Sequence, residues 1–170
     1  MLEGAVTGIT ETDIVLRIIL ATVLSSVVGI EREFHHKPAG LRTNVMVGLG
    51  SCLFTLVSIR AADIFPAVSA IDPTRIAAQI VTGIGFLGAG TILFEKDRSS
   101  VIGLTTAATL WVVAAVGTAI GMGLYVEAIV GTLMVFFTFL VLSKVVNEVR
   151  KRSSEETRAN HNDTAMEANK

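Results

Sequence analysis

Five stretches of apolar residues, separated by short polar segments, set the pattern of this chain. An α-helix rises about 1.5 Å per residue, so stretches of this length can cross most or all of a hydrocarbon core about 30 Å thick. We therefore predict an all-α integral membrane protein with five transmembrane helices, at residues 14–30, 45–59, 76–94, 101–120 and 124–143. The transmembrane domain is assigned to residues 1–145, and residues 146–170 are expected to form a polar, largely disordered tail.

Local signals indicate where some of these helices begin and end. Asp72 followed by Pro73 is typical of a helix start, because the carboxylate can accept a hydrogen bond from the first turn. Ser99 or Ser100 is a candidate cap for the fourth helix. The Gly-Met-Gly sequence at residues 121–123 predicts a tight turn, so the fourth and fifth helices should form a hairpin.

Lysine and arginine residues are distributed unequally between the two predicted sides of the membrane. Eleven lie in the first loop, the third loop and the tail, whereas only Arg60 and Arg75 lie on the other side. The positive-inside rule therefore places the N-terminus outside and the C-terminal tail in the cytoplasm. The eleven residues are Arg32, Lys37, Arg42, Lys96, Arg98, Lys144, Arg150, Lys151, Arg152, Arg158 and Lys170.

Composition narrows the classes of function. Hydrophobic residues make up 51% of the chain, and the formal net charge of -1 argues against a nucleic-acid partner. The single cysteine, Cys52, excludes an internal disulfide and is expected to be a packing residue. Because the sequence contains no nucleophile–base pair, phosphate loop or cofactor motif, we expect neither catalytic residues nor a bound organic cofactor, and we do not expect an enzyme.

The third predicted helix has a small, partly polar face with Gln79 near one end, and an opposite bulky face expected to meet lipid. Its glycines match a dinucleotide-binding pattern, but that motif requires a preceding strand, so we reject a nucleotide site. Two interpretations remain: close helix packing, or an interrupted helix that lines a cation pathway. The small face carries Gly83, Phe86 and Gly90, flanked by Gly85; the bulky face carries Ile76, Ile80, Ile84 and Leu87, and Gly88 is the fourth glycine of the helix.

The loop after the first helix concentrates charge at the membrane edge. Glu31 and Glu33 could gather a hydrated Mg²⁺, which prefers hard oxygen ligands. The alternative is a structural ion-pair cluster with Arg32, Lys37 and Arg42. The adjacent histidines at residues 35 and 36 lack cysteine or acidic ligands at metal-site spacing and do not predict a transition-metal site.

Polar residues within the later spans have open assignments. Thr105 and Thr109 share a face of the fourth helix, where they can bond back to the helix backbone or line a polar path with Gln79. Trp111 is expected to pack inside the bundle. Glu127 needs a cationic partner within the outer leaflet.

Arg17, near the outer end of the first span, can pair with Asp13 one turn earlier. For Glu127 the cationic candidates are Arg60 and Arg75.

Three sequence blocks together resemble the MgtC/SapB family of bacterial inner-membrane proteins. They are Gly-Ile-Glu-Arg-Glu at 29–33 with Lys-Pro-Ala-Gly-Leu-Arg-Thr at 37–43, the glycine-rich block at 75–93, and Gly-Leu-Thr-Thr-Ala-Ala-Thr-Leu-Trp at 103–111. The resemblance covers residues 13–141 and implies a five-helix inner-membrane domain linked to growth under magnesium limitation. The longer, virulence-associated members carry a soluble domain after the fifth helix, so we expect this chain to represent a short form without it.

The resemblance implies functional roles for Glu31, Arg32, Glu33, Lys37, Arg42, Arg75 and Gln79. From their predicted positions, residues 31–42 would form an inner gate, and Arg75 with Gln79 an outer one. Five helices are few to enclose a pathway, so an oligomer, with a dimer favoured, is expected. Two functions remain open: an oligomeric Mg²⁺ transporter component, or a regulator that binds another membrane protein such as the proton-driven ATP synthase.

Overall fold

The computed structural model describes residues 8–64, 72, 74–95 and 100–141, which form five α-helices and one short β-hairpin. Three helical segments, Glu11–Phe34, Leu41–Ala61 and Leu104–Met122, are long and apolar enough to cross a membrane, which supports a membrane protein. The predicted tail lies outside the described residues. The elements are α1 (Glu11–Phe34), α2 (Leu41–Ile64), α3 (Thr74–Gly90), β1 (Leu93–Glu95), β2 (Ser100–Ile102), α4 (Leu104–Met122) and α5 (Tyr125–Val141).

The chain divides into two compact units, Met1–Leu133 and Met134–Lys170. In the first unit α4 packs against α1, α2 and α3. The second unit includes the end of α5, where the Thr138 hydroxyl donates to the Met134 carbonyl at 2.8 Å. This bond remains within one helix, as is usual for threonine in an apolar span.

The centre of the first unit is a crossing of α2 and α4 at glycines. A Cβ added at Gly117 would lie 2.2 Å from the Gly48 carbonyl oxygen, and one added at Gly121 would lie 2.9 Å from the Cys52 carbonyl oxygen. Only glycine permits this approach, because any side chain would overlap backbone atoms. Cys52 is fully buried beside this crossing, as predicted for a packing residue.

Two turns connect consecutive helices in the first unit. Residues 38–39 bend the chain before α2, and Gly123, with φ +84°, ends α4 just before α5 begins at Tyr125. Gly123 and Leu124 donate backbone hydrogen bonds to the last turn of α4, which satisfies two of its free carbonyl groups. The helical hairpin predicted from the Gly-Met-Gly sequence is therefore confirmed.

Arg17 joins α1 to this turn instead of pairing with Asp13. Its Nη1 donates to the Gly121 carbonyl at 2.7 Å, and its Nε donates to the Tyr125 hydroxyl at 3.1 Å. Asp13 closes a capping box with Thr10 at the start of α1, so its carboxylate already has partners. The predicted Arg17–Asp13 pair is wrong because both side chains bond elsewhere.

The third and fourth helices are shorter than the apolar pattern predicts. Residues 93–95 and 100–102 pair as antiparallel strands, with Leu93 opposite Ile102 and Glu95 opposite Ser100. The helix α3 ends at Gly90, where the Thr91 hydroxyl and N–H both bond to the Gly88 carbonyl. The residue that precedes α4 is Gly103 rather than a serine, so the serine cap at residue 99 or 100 is wrong.

Gly103 is constrained by its conformation and by its neighbour. Its φ is +91°, and an added Cβ would lie 1.8 Å from the Thr91 carbonyl oxygen. We expect Gly103→Ala to lower the free energy of unfolding by about 1–3 kcal/mol, because it combines left-handed strain with a backbone clash. Thermal unfolding in detergent measures this loss. Gly85→Ala is the control, because its Cβ meets open space; equal melting temperatures for the two variants would contradict the prediction.

Candidate functional site

The charged residues at the end of α1 are divided between the interior and the surface. Glu31 and Arg32 are buried, and the Arg32 guanidinium donates through Nε to the Glu31 carboxylate. The His35 ring nitrogen Nδ1 lies 3.1 Å from the second carboxylate oxygen of Glu31. The Glu31 carboxylate is therefore held by two neighbours, in the arrangement expected for a buried ion pair.

Glu33 has a different partner. Its Oε2 accepts the backbone N–H of Leu41 at 2.9 Å, which places a negative charge at the start of α2. A Cβ at Gly40 would lie 1.8 Å from this oxygen, so the contact requires glycine there. The first turn of α2 contains no acidic residue of its own. Glu33 consequently supplies the cap that the α2 sequence lacks.

Asn44 on α2 also binds this loop, and its role was not predicted from the sequence. It is fully buried, and its Nδ2 donates to the carbonyls of Ala39 and Gly40 at 2.9 and 2.8 Å. Its Oδ1 has no partner within the described residues. One feature of the sequence could have predicted its burial. Small or polar residues recur at helical spacing along one face of an apolar span, at Asn44, Gly48, Ser51 and Thr55.

The remaining predicted residues of this loop lie at the surface. Lys37 and Arg42 are exposed, and no ion pair within the described part of the chain includes either side chain. The structure brings Glu31 and Arg32 together and directs Glu33 to α2. No group of three or more His, Cys, Asp or Glu side chains in the described ranges is placed to hold a metal ion. Metal binding by Glu31 and Glu33 stays a prediction.

The start of α3 is capped as the sequence predicts. The Asp72 carboxylate accepts the Thr74 hydroxyl at 2.7 Å and the Thr74 N–H at 2.8 Å. These two hydrogen bonds hold the pKa of Asp72 below its usual range, because they stabilise the ionised carboxylate. Pro73 lies outside the described residues. Arg75 follows in the first turn with an exposed side chain.

Gln79 lies in an open groove between α2 and α3, with a volume of about 560 Å³. Gly50 on α2 and Gly83 on α3 both line it, and an added Cβ at either position would meet open space. The walls are otherwise mostly apolar. The full lining is Thr43, Met46, Val47, Gly50, Ser51, Phe54, Ile76, Gln79, Ile80, Gly83, Ile84 and Leu87.

The two faces of α3 are oriented differently from the prediction. Ile84 is buried at 7% exposure and packs with Ala39, Leu110 and Ala114, whereas Phe86 on the small face is 82% exposed. The expectation that Ile84 meets lipid is therefore wrong, because the bulky face supplies the apolar contacts with the rest of the unit.

Among the α3 glycines, only Gly88 has a near neighbour on another helix. Its Cβ position is 3.6 Å from the Cβ of Ala107 on α4. Cβ atoms at Gly83, Gly85 and Gly90 would meet nothing within 4 Å. Close packing within the chain is thus shown for Gly88, and the roles of the other three stay predictions.

The Thr109 side chain bonds to the backbone of its own helix, α4. The Thr109 hydroxyl donates to the Thr105 carbonyl at 2.7 Å, and Thr109 is buried whereas Thr105 is exposed. This is the backbone bond expected for threonine in a membrane helix. Trp111 is 55% exposed, so its predicted place inside the bundle is wrong for this unit.

Arg60 on α2, one of the two cationic partners predicted for Glu127, bonds to other groups instead. Arg60 donates to the Glu11 carboxylate at 3.2 Å and to the Ile9 carbonyl at 3.2 Å. Arg60 is thus engaged away from Glu127, whose side chain is exposed.

Comparison with known proteins places this arrangement in a family. The family model described as "MgtC family" matches residues 18–148. The chain belongs to the MgtC family. It is 42% identical over 141 residues to protein SapB of Bacillus subtilis, covering 82% of this chain and 60% of the relative. Membership confirms the resemblance inferred from the three sequence blocks.

Two further MgtC-family relatives carry informative names. "Putative magnesium transporter YhiD" of Escherichia coli K12 is 47% identical over 132 residues, covering 76% of this chain and 59% of the relative. Protein MgtC of Salmonella typhimurium LT2 is 37% identical over 137 residues, covering 81% and 55%. The chain thus spans under two thirds of the length of these relatives. No solved structure matches it.

Proposed function

We propose that this MgtC-family chain serves the homeostasis of magnesium, or of another cation, as one subunit of an oligomeric transporter in the bacterial inner membrane. The observation that carries the proposal is the relationship to YhiD, whose name describes a candidate magnesium transporter. The region that matches YhiD includes most of the described helices. A transport step performed by that region of YhiD would therefore be available to this chain as well. Mg²⁺ is here the transported ion rather than a resident cofactor.

The proposed subunit crosses the membrane five times, with its N-terminus outside and its C-terminus in the cytoplasm. The helices α3 and α5 have 17 residues each, about 26 Å of rise, which is at the lower limit for a span. The unequal distribution of lysine and arginine supports the orientation. A reporter fused after Arg152 that is active only in the periplasm would reverse it.

The proposed assembly is a homodimer that uses the uncovered face of α3. Gly83, Gly85 and Gly90 leave room for the close approach of a second helix, and small residues are enriched at membrane helix contacts. Gln79, exposed in the groove, could hydrogen-bond across such a contact, because its amide both donates and accepts. We assign the four glycines of α3 (Gly83, Gly85, Gly88 and Gly90), together with Thr105 and Thr109, to packing or pathway lining.

Within this proposal, the loop after α1 forms the inner gate and Arg75 with Gln79 the outer one. The Glu33 carboxylate is the better candidate for attracting a hydrated cation, because it is exposed and its Oε1 has no hydrogen bond within the described residues. Mg²⁺ usually retains several waters, so an exposed carboxylate suits it better than the enclosed Glu31. Arg32, Lys37 and Arg42 would set the local charge.

The alternative proposal is a regulator that does not transport and binds another membrane protein, such as the proton-driven ATP synthase implied by the family resemblance. One observation favours it: the α2–α3 groove is lined mainly by apolar side chains. An apolar, lipid-facing groove suits a partner helix better than a hydrated ion.

Ion flux into liposomes that contain only this protein separates the two proposals. The transporter proposal expects Mg²⁺ uptake by wild type that Glu33→Gln or Gln79→Ala abolishes at unchanged protein levels, together with loss of growth support at low magnesium. Glu127→Gln is the matched control, because it removes one exposed carboxylate elsewhere. Absence of flux with wild type, while growth support persists in cells, would overturn transport and favour the regulator.

A further inference from the structure

A second cavity, of about 520 Å³, lies where α1 ends and α2 begins. Its position at the ends of two apolar helices places it at a membrane surface, whichever side that surface faces. Its walls combine three apolar side chains with a carboxylate, an imidazole and an ammonium group. The lining residues are Ile30, Glu33, Phe34, His36, Lys37 and Leu41.

The loop that forms this cavity is held in one conformation by backbone bonds. The Lys37 N–H donates to the Arg32 carbonyl and the His36 N–H to the Glu33 carbonyl, both at 3.0 Å. This pair of bonds is a Schellman motif, with His36 at the left-handed position. His36 has φ +52°, and no other non-glycine residue in the described ranges has a positive φ. The motif fixes the point from which the Lys37 side chain extends.

The charges of the cavity are balanced. Glu33 contributes one carboxylate, whose Oε2 binds the Leu41 N–H while Oε1 has no hydrogen bond within the described residues. Lys37 contributes one exposed ammonium group, which is absent from the ion pairs of the described chain. One acceptor and one donor of opposite charge in the same cavity match a zwitterion better than a net anion or a net cation.

The apolar wall of the cavity suits an acyl chain. Phe34 is 78% exposed and Ile30 is 43% exposed, and these large side chains follow one another by one helical turn. Exposed apolar side chains at the end of a spanning helix are favourable only where lipid covers them.

We infer that this cavity binds the headgroup of phosphatidylethanolamine. The ethanolamine ammonium donates to Oε1 of Glu33, the Lys37 ammonium donates to the phosphate, and an acyl chain covers Ile30 and Phe34. A choline headgroup lacks N–H donors for Glu33, and an anionic glycerol headgroup brings no cation to it. This inference requires the chain to lie in a membrane and does not depend on cation transport.

Native mass spectrometry of the full chain in detergent tests the inference, with phosphatidylethanolamine, phosphatidylcholine and phosphatidylglycerol of identical acyl chains added in turn. Wild type should retain phosphatidylethanolamine about tenfold more strongly than phosphatidylcholine, as one charge-assisted hydrogen bond predicts. Lys37→Gln should weaken the retention of phosphatidylethanolamine and phosphatidylcholine alike, because both carry the phosphate, and its fold should persist because only the Lys37 backbone takes part in the loop. Glu33→Gln should reduce the preference for phosphatidylethanolamine, but that variant alters the α2 cap as well.

Arg75→Gln is the control for the loss of one cation, because it removes an exposed charge from a different helix; its retention of each lipid should equal that of wild type. Equal retention of phosphatidylethanolamine and phosphatidylcholine by wild type would overturn the inference. So would stronger retention of phosphatidylglycerol, which would indicate simple attraction of anions. Displacement of the lipid by inorganic phosphate alone would also overturn it, because the acyl and ammonium contacts would then contribute nothing.

Discussion

Gly117→Leu is expected to prevent stable folding of the first unit. A single Cβ at this position would lie 2.2 Å from the Gly48 carbonyl oxygen and 2.9 Å from its carbonyl carbon, so leucine would force α2 and α4 apart. The backbone cannot yield as a flexible side chain could, and we expect a loss of about 3 kcal/mol or more, at or beyond the upper end for overpacking. Protein yield, and thermal unfolding of whatever protein accumulates in the membrane, measure this loss.

Gly85→Leu is the matched control, since the same change there meets open space. The structure separates the two glycines: Gly117 lies at a contact within the chain, and Gly85 does not. Gly85→Leu should therefore leave the monomer folded and weaken self-association by analytical ultracentrifugation. A well-folded Gly117→Leu protein with wild-type melting behaviour would contradict the backbone crossing.

The helices could be predicted because membrane spans depend on length and average polarity. Apolar runs and turn residues such as Gly123 carry that information locally, and they located all five helices in order. The β-hairpin was missed because Leu93 and Val101 are as apolar as the neighbouring helical residues. The chain changes direction there through the Thr91 bonds to Gly88 and the positive φ of Gly103, which average hydropathy does not record.

The orientation of each helix about its axis was harder to predict than its existence. The apolar residues of α4 surround the helix, so the sequence could not show that Trp111 would be exposed while Leu110 is buried. On α3 a face pattern was visible, but the rule that small residues pack inward failed for Gly83 and Gly85. The bulky Ile84 fills the contact within the chain instead. A helix face that carries glycines looks the same in the sequence whether it packs on another helix or is exposed. Only the atoms around that face in the structure distinguish the two cases.

The candidate site was located by sequence, but its internal pairing was not. Charged residues near a membrane edge predict a cluster, because lone charges there are costly. Which carboxylate pairs with which cation depends on side-chain direction at the end of α1. Glu31 is held by Arg32 and His35, whereas Glu33 reaches the start of α2 across the loop. The hypothesis that Glu31 and Glu33 together bind Mg²⁺ treats the two carboxylates as equivalent, whereas the structure gives them different partners.

This difference in pairing predicts a large loss of stability when the Glu31 carboxylate is removed and a small loss when the Glu33 carboxylate is removed. Glu31→Gln removes the carboxylate to which the buried Arg32 guanidinium donates. Removing one member of a buried ion pair costs about 3–5 kcal/mol, because the other charge stays desolvated. Glu33→Gln keeps an acceptor oxygen that can still reach the Leu41 N–H, and the loss of a helix cap costs only about 0.5–2 kcal/mol. We therefore expect a large fall in melting temperature for Glu31→Gln and a small one for Glu33→Gln.

A double-mutant cycle tests the Glu31 result against simple loss of charge. Arg32→Gln should also destabilise, and the Glu31→Gln, Arg32→Gln double variant should be more stable than the sum of the two single losses predicts, because each single variant already loses the same ion pair. Denaturant unfolding in mixed micelles at one fixed lipid composition provides the free energies. Additive losses would show that the two residues act independently. A Glu33→Gln loss as large as that of Glu31→Gln would show that burial does not distinguish the two carboxylates, and the division of this loop into a structural ion pair and an exposed functional carboxylate would fail.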